Sequence, residues 1–143
     1  MEPGKQESQE LMNYVKRIAK QKLSDQGEFL PFGGVMKPNG ELIRIGANKD
    51  GEHQQSSELI AKIQQSFSAS AREGKYKATA IVYDVQVPVP ETDTESDAIA
   101  IALDHMSGYS VIVFFPYLLQ NGQLEIGKIF AQDGDHSIFL NDD

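Results

Sequence analysis

Three histidines, at positions 53, 105 and 136, and a surplus of carboxylates (21 Asp/Glu against 13 Lys/Arg) are the groups in this 143-residue chain that could do acid–base chemistry. His105 follows Asp104 directly. Neighbours in a strand point to opposite faces, so these two cannot form a dyad with each other. A carboxylate from another element, Asp84 or Glu28, would have to reach His105 to make it the centre of a small hydrolase or ligand-binding enzyme. His53 and His136 lie in turn-rich segments and read as solvated.

Other motifs carry less chemistry. Gly122, Gly127 and Lys128 have the spacing of a phosphate-binding loop, but the next position is Ile129, which has no hydroxyl for magnesium. The segment also reads as a hairpin arm rather than a strand-to-helix turn. Asp133-Gly134-Asp135-His136 offers oxygen ligands at a turn without the spacing of a calcium loop. No Gly-x-Ser-x-Gly elbow occurs. With no cysteine, disulfides, thiolate metal sites and cysteine nucleophiles are excluded. No catalytic constellation, cofactor or metal site is therefore expected. The most unusual local string is Phe29-Leu30-Pro31-Phe32-Gly33-Gly34. A proline at a strand entry and paired glycines suit either a structural corner or a place where a ligand meets bare backbone. Phe29, Pro31, Phe32, Gly33, Gly34 and His105 are the candidate ligand corner.

The elements that must position these residues follow from periodicity. Leu11, Val15, Ile18, Ala19 and Leu23 recur at helical spacing, and Gly27 is a natural C-cap. Segments 29–36 and 41–47 flank a Pro38-Asn39-Gly40 hairpin turn. Leu59, Ile60, Ile63, Phe67 and Ala71 make a second amphipathic helix ended by Gly74. Segments 75–87, 97–106, 109–115 and 124–131 read as strands joined by short turns, with one more short strand at 137–140. The expectation is one domain over 1–143, with residues 1–8 and 141–143 flexible. Its class is α+β: a two-layer, mostly antiparallel sheet of five to six strands with two helices, in the order α-β-β-α-β-β-β(-β).

Two patterns bear on partners. Residues 1–83 carry 12 Lys/Arg against 10 Asp/Glu, a balance of +2, whereas residues 84–143 carry one base against 11 acids, a balance of −10. Such a half repels nucleic acid and acidic lipid and attracts a basic protein. The longest apolar run is far shorter than a membrane span needs, and the first twenty residues lack the apolar core of a signal peptide, which points to a cytoplasmic protein. The later strands, moreover, do not alternate apolar with polar. If alanines mark the side where helices approach, then Ile81, Tyr83, Ile99, Ile101, Leu103, Val111 and Val113 form a large apolar row opposite. A bare row of that size calls for internal coverage, a second copy or another protein.

Two strings, Gly27-Glu28-Phe29-Leu30-Pro31-Phe32-Gly33 and Ser96-Asp97-Ala98-Ile99-Ala100 continuing to Asp104-His105-Met106-Ser107-Gly108 and Pro116-Tyr117, resemble a set of small uncharacterised bacterial proteins. The resemblance spans most of the chain from the first helix onward and brings no established activity with it. The element order also resembles the roadblock and profilin-like modules, which dimerise through their sheets. Together these readings point to a non-enzymatic, homodimeric interaction domain of adaptor or immunity type in a bacterial cytoplasm, facing a basic protein partner. The alternative is the small enzyme built on His105, Asp84 and Glu28.

Overall fold

The computed structural model describes residues 3–46, 56–90, 94–136 and 138–139. The chain is α+β, in the order α1 (Pro3–Gln26), β1 (Phe32–Met36), β2 (Leu42–Ile45), α2 (Ser56–Arg72), β3 (Ala78–Pro88), β4 (Glu95–His105), β5 (Ser110–Gln120), β6 (Gln123–Ile126) and β7 (Phe130–Asp133). All strands pair antiparallel, in the spatial order β2-β1-β3-β4-β5-β6, and β7 pairs with β5 beside β6. Segment 124–131, expected as one strand, is divided. Gly127 donates to the Pro116 carbonyl at 2.7 Å, and residues 127–129 break the ladder between β6 and β7. Ile138 and Phe139 form a bend, and the rest of the strand expected at 137–140 lies outside the described residues. So does His53.

α1 begins at Pro3, well before its first core leucine, and Ser8 is buried within it, so residues 3–8 are ordered helix rather than a loose terminus. Its start is held by a polar knot. The Ser107 N–H donates to His105 Nδ1 at 3.0 Å, which leaves the imidazole proton on Nε2 to bond Glu7 Oε1 at 2.8 Å. Lys77 donates to the other Glu7 oxygen at 2.6 Å. These bonds from Lys77 and His105 hold the Glu7 carboxyl below the usual carboxylate range.

At several positions across β3 and β4 a small residue faces a large one. Ala80 pairs with Leu103 and Val82 with Ile101 on one face, whereas Ile81 pairs with Ala102 and Tyr83 with Ala100 on the other. The apolar row Ile81, Tyr83, Ile99, Ile101, Leu103, Val111 and Val113 is therefore not one surface. Ile99, Ile101, Leu103, Val111 and Val113 lie under α1, packed with Leu11, Val15, Ala19 and Leu23. Ile81 and Tyr83 lie on the opposite face with Ile63, Phe67 and Ile138. The reading failed because it treated the alanines of β3 and β4 as one side, while antiparallel pairing at this register alternates them.

The two helices also take opposite faces of the sheet rather than sharing one. Gly33 and Gly34, consecutive in β1, point to opposite sides. A Cβ on Gly33 would fall 2.5 Å from the Phe67 ring of α2, and one on Gly34 would fall 2.5 Å from Val15 Cγ1 of α1. Both glycines are buried contact points for helices. Of the three ways to cover the second face, the structure shows internal coverage: it is packed by α2 and by Ile138 of the C-terminal segment, which is 2 % exposed.

A methyl group at these points has no room to relax, because both neighbours are themselves buried. Gly34→Ala is expected to cost about 1–3 kcal/mol of stability by overpacking. Gly46→Ala, where among the described residues nothing lies within 4 Å of the added carbon, should be close to neutral. Urea denaturation midpoints of the two variants test this.

Candidate functional site

α1 stops before the sheet does. Gly27, at φ 78°, closes the helix by donating to the Leu23 carbonyl at 2.9 Å, and the chain then turns into β1 through Glu28 and Phe29. β3 and β4 run on past this point. Between the helix end and the overhanging sheet lies a cleft of about 590 Å³, lined by Gln26, Glu28, Phe29, Leu30, Asp84, Val85, Gln86 and Asp97. Three carboxylates face it, and no lysine or arginine is among its described lining residues.

Asp84 is the half-buried member of the three. The Tyr117 hydroxyl lies 2.9 Å from its Oδ1 and 3.0 Å from its Oδ2, so it donates to this carboxylate. Burial raises the Asp84 pKa above the usual aspartate value; the Tyr117 bond opposes the shift, and the charges of Asp97 and Glu28 add to it. Burial and the adjacent carboxylate push the Tyr117 phenol upward in turn. Tyr117 is thus a fixed donor that orients Asp84 toward the cleft.

The enzyme expected around His105 is not assembled. Asp84 and Glu28 do come together, but Asp84 pairs with Ile99 in the sheet while His105 pairs with Ala78, six residues further along β4. At ~3.4 Å per residue the separation is roughly 20 Å. Both ring nitrogens of His105 are already engaged by Ser107 and Glu7, and the side chain is 5 % exposed. The ligand corner is also dispersed. Pro31 is buried, Phe32, Gly33 and Gly34 pack against the helices, His105 sits at the far end of β4, and of these residues only Phe29 lines the cleft.

Asp104, on the face opposite His105, accepts from the Ser110 hydroxyl at 2.9 Å. Ser110 also holds the turn after β7: Gly134 N–H donates to its carbonyl at 3.0 Å, and His136 N–H donates to its hydroxyl at 3.2 Å. Asp104 is 6 % exposed, and burial pushes its pKa up to about 6, with the Ser110 bond opposing the shift and Asp135 adding to it. The string 133–136 therefore serves as a strap on β5, and the segment 122–128 is a hairpin arm with Lys128 exposed. Among the described residues no cluster of three or more His, Asp or Glu is placed to hold a metal ion. Nor, among them, is any helix long and apolar enough to cross a membrane.

Sequence inspection missed Glu7, Ser110 and Tyr117, the partners of His105, Asp104 and Asp84. Each pair joins residues from different elements. Only Tyr117 carried a signal, as part of the Pro116-Tyr117 string, and nothing in that string tied it to Asp84.

Two titrations follow. Tyr117→Phe removes a donor to a half-buried carboxylate, so the Asp84 pKa should rise further, by carboxyl-carbon NMR, with about 1 kcal/mol of stability lost. For Asp104 the folded pKa lies above the unfolded one, so the stability this group lends is full below about pH 4 and lost as pH rises through 6. Asp104→Asn should thus gain on the parent between pH 4 and 7.5, by up to about 3 kcal/mol in chemical denaturation at the two pH values. No family model, curated protein or solved structure matches the chain.

Proposed function

We propose that the chain is a non-enzymatic protein-interaction domain, of adaptor or immunity type, whose carboxylate-lined cleft at the end of α1 holds a basic segment of a partner protein. The observation that carries this is the convergence of Glu28, Asp84 and Asp97 on one open cleft beside apolar Phe29, Leu30 and Val85. Leu30 is 54 % exposed there. A lysine or arginine side chain has both an apolar stem and a charged head, and the cleft offers surfaces for both. The helix adds to the field. The C-terminal end of α1 borders the cleft, its last turn carries no basic residue, and a helix C-terminus is the negative pole of its dipole. Asp84 and Asp97 come from the half of the chain whose balance is −10, so the surrounding charge steers in the same direction.

A reducing cytoplasm suits a chain with no cysteine. The homodimer expected from a bare apolar face is not needed for this reading, because that face is filled from within.

Isothermal titration with a short peptide of alternating lysine and leucine tests the proposal. Saturable binding is expected, weakened about tenfold or more by the paired change Asp84→Asn and Asp97→Asn, and weakened steeply between 50 and 500 mM salt. Binding that ignores salt, or that survives the paired change, would remove the cleft from consideration.

A further inference from the structure

A second, smaller cavity lies on the opposite face of the sheet, and nothing in the cleft at the end of α1 depends on it. It holds about 110 Å³ between α2, the central strands and the turn after β7. Its walls are apolar: Ile60, Ile81, Ala102 and Ile112. Its polar groups are Asp104, Ser110, Tyr83, Gln64 and Asp135. Asp104 stands out because it is 6 % exposed and yet, among the described residues, has no cation bonded to it. Its Oδ1 is taken by Ser110, and no hydrogen bond among the described residues reaches its Oδ2. A largely buried carboxylate that lines a cavity with one oxygen unpaired is a strong acceptor for a charged donor that enters.

Two neighbouring groups bear on the site. Burial, with Asp135 nearby, raises the Tyr83 phenol pKa, so it stays a neutral hydrogen-bonding group. His136, whose ring lies close enough to Asp104 to oppose the upward shift of its pKa, is exposed.

We infer that this cavity is a binding site for a small primary alkylammonium group, with the ammonium on Asp104 and the carbon stem against Ile60, Ile81, Ala102 and Ile112. Size sets the limit. An apolar cavity of about 150 Å³ takes six-atom benzene, so about 110 Å³ suits a ligand of roughly four heavy atoms. A three-carbon amine fits this description, and so does the end of a lysine side chain. An ammonium is favoured over a neutral alcohol because the vacant acceptor is a carboxylate, to which a charged donor bonds about twice as strongly.

n-Propylammonium chloride is the probe, followed by methyl NMR at pH 7.5, where Asp104 is mostly ionised. The expected result is saturable shifts of the Ile60, Ile81 and Ile112 methyls, with Leu30 and Val85 of the other cleft unmoved. Asp104→Asn should weaken binding about tenfold or more, and Ala102→Val, which fills the cavity without touching its charge, should weaken it as well. Competition by N-acetyl-lysine methylamide supports a lysine side chain as the source, and propylammonium binding without that competition supports a free amine. The absence of saturable shifts, equal binding of n-propanol, or binding that survives both substitutions overturns the assignment.

Discussion

Everything else in the molecule depends on the register between β3 and β4. With Ala80 against Leu103, Ile81 against Ala102 and Tyr83 against Ala100, each face of the central pair sets small side chains against large ones at several steps. Both faces are then level enough for a helix, and neither is bulky enough to exclude one. A slip of one residue would exchange the faces of every side chain on the strand that moved. Alanine would meet alanine on one side and large residue would meet large residue on the other, leaving a trough and a ridge. The same register sends Asp104 and His105 to opposite sides and carries Asp84 away from His105. The chemistry of the chain is thus decided by the strand pairing as much as its packing is.

Class and element order were legible because each element states itself locally. The α1 stripe, the Pro38-Asn39-Gly40 turn, the α2 stripe and the tight turns between later strands are all short-range signals. How the faces are shared is a long-range property, and there the reading went astray. Three alternating residues in β3 and three in β4 show which side chains share a face within a strand, but not which face of β4 matches which face of β3. Gly33-Gly34 was recognisable as unusual. That one glycine receives Phe67 and the next Val15 requires knowing that a helix lies on each side. The site was legible to a similar depth: Asp84 and Glu28 were singled out and do meet, but the histidine assigned to them belongs to a structural knot with Glu7, seen only once α1 is laid on the sheet.

The acidic C-terminal half gains a more specific meaning from the fold. Four of its described carboxylates gather in two places. Asp84 and Asp97 gather where the sheet overhangs the end of α1, and Asp104 and Asp135 gather where the strap after β7 crosses β5. Both are places where regular packing ends and a cavity remains. In the first, charges are half in water and can be screened, which suits a partner that arrives and leaves by electrostatic steering. In the second, the carboxylate is largely shielded from water, so its charge is felt strongly over a short distance by whatever enters.

Asp104 is the sharper case, because the fold has no evident need of its charge. Ser110 already anchors the strap, through its carbonyl to Gly134 and its hydroxyl from His136, and a neutral amide at position 104 could accept from that same hydroxyl. An ionised carboxylate there works against folding at neutral pH, since burial favours its protonated form. Sequences tend to depart from local consistency where a site demands it. A buried group that opposes folding, faces a cavity of defined size and keeps one oxygen vacant has the properties of a binding determinant. His105 differs on each count: equally buried, it has both nitrogens engaged and ties three elements together. The two neighbours thus divide the roles that sequence had assigned to the histidine alone, His105 serving the architecture and Asp104 the candidate chemistry.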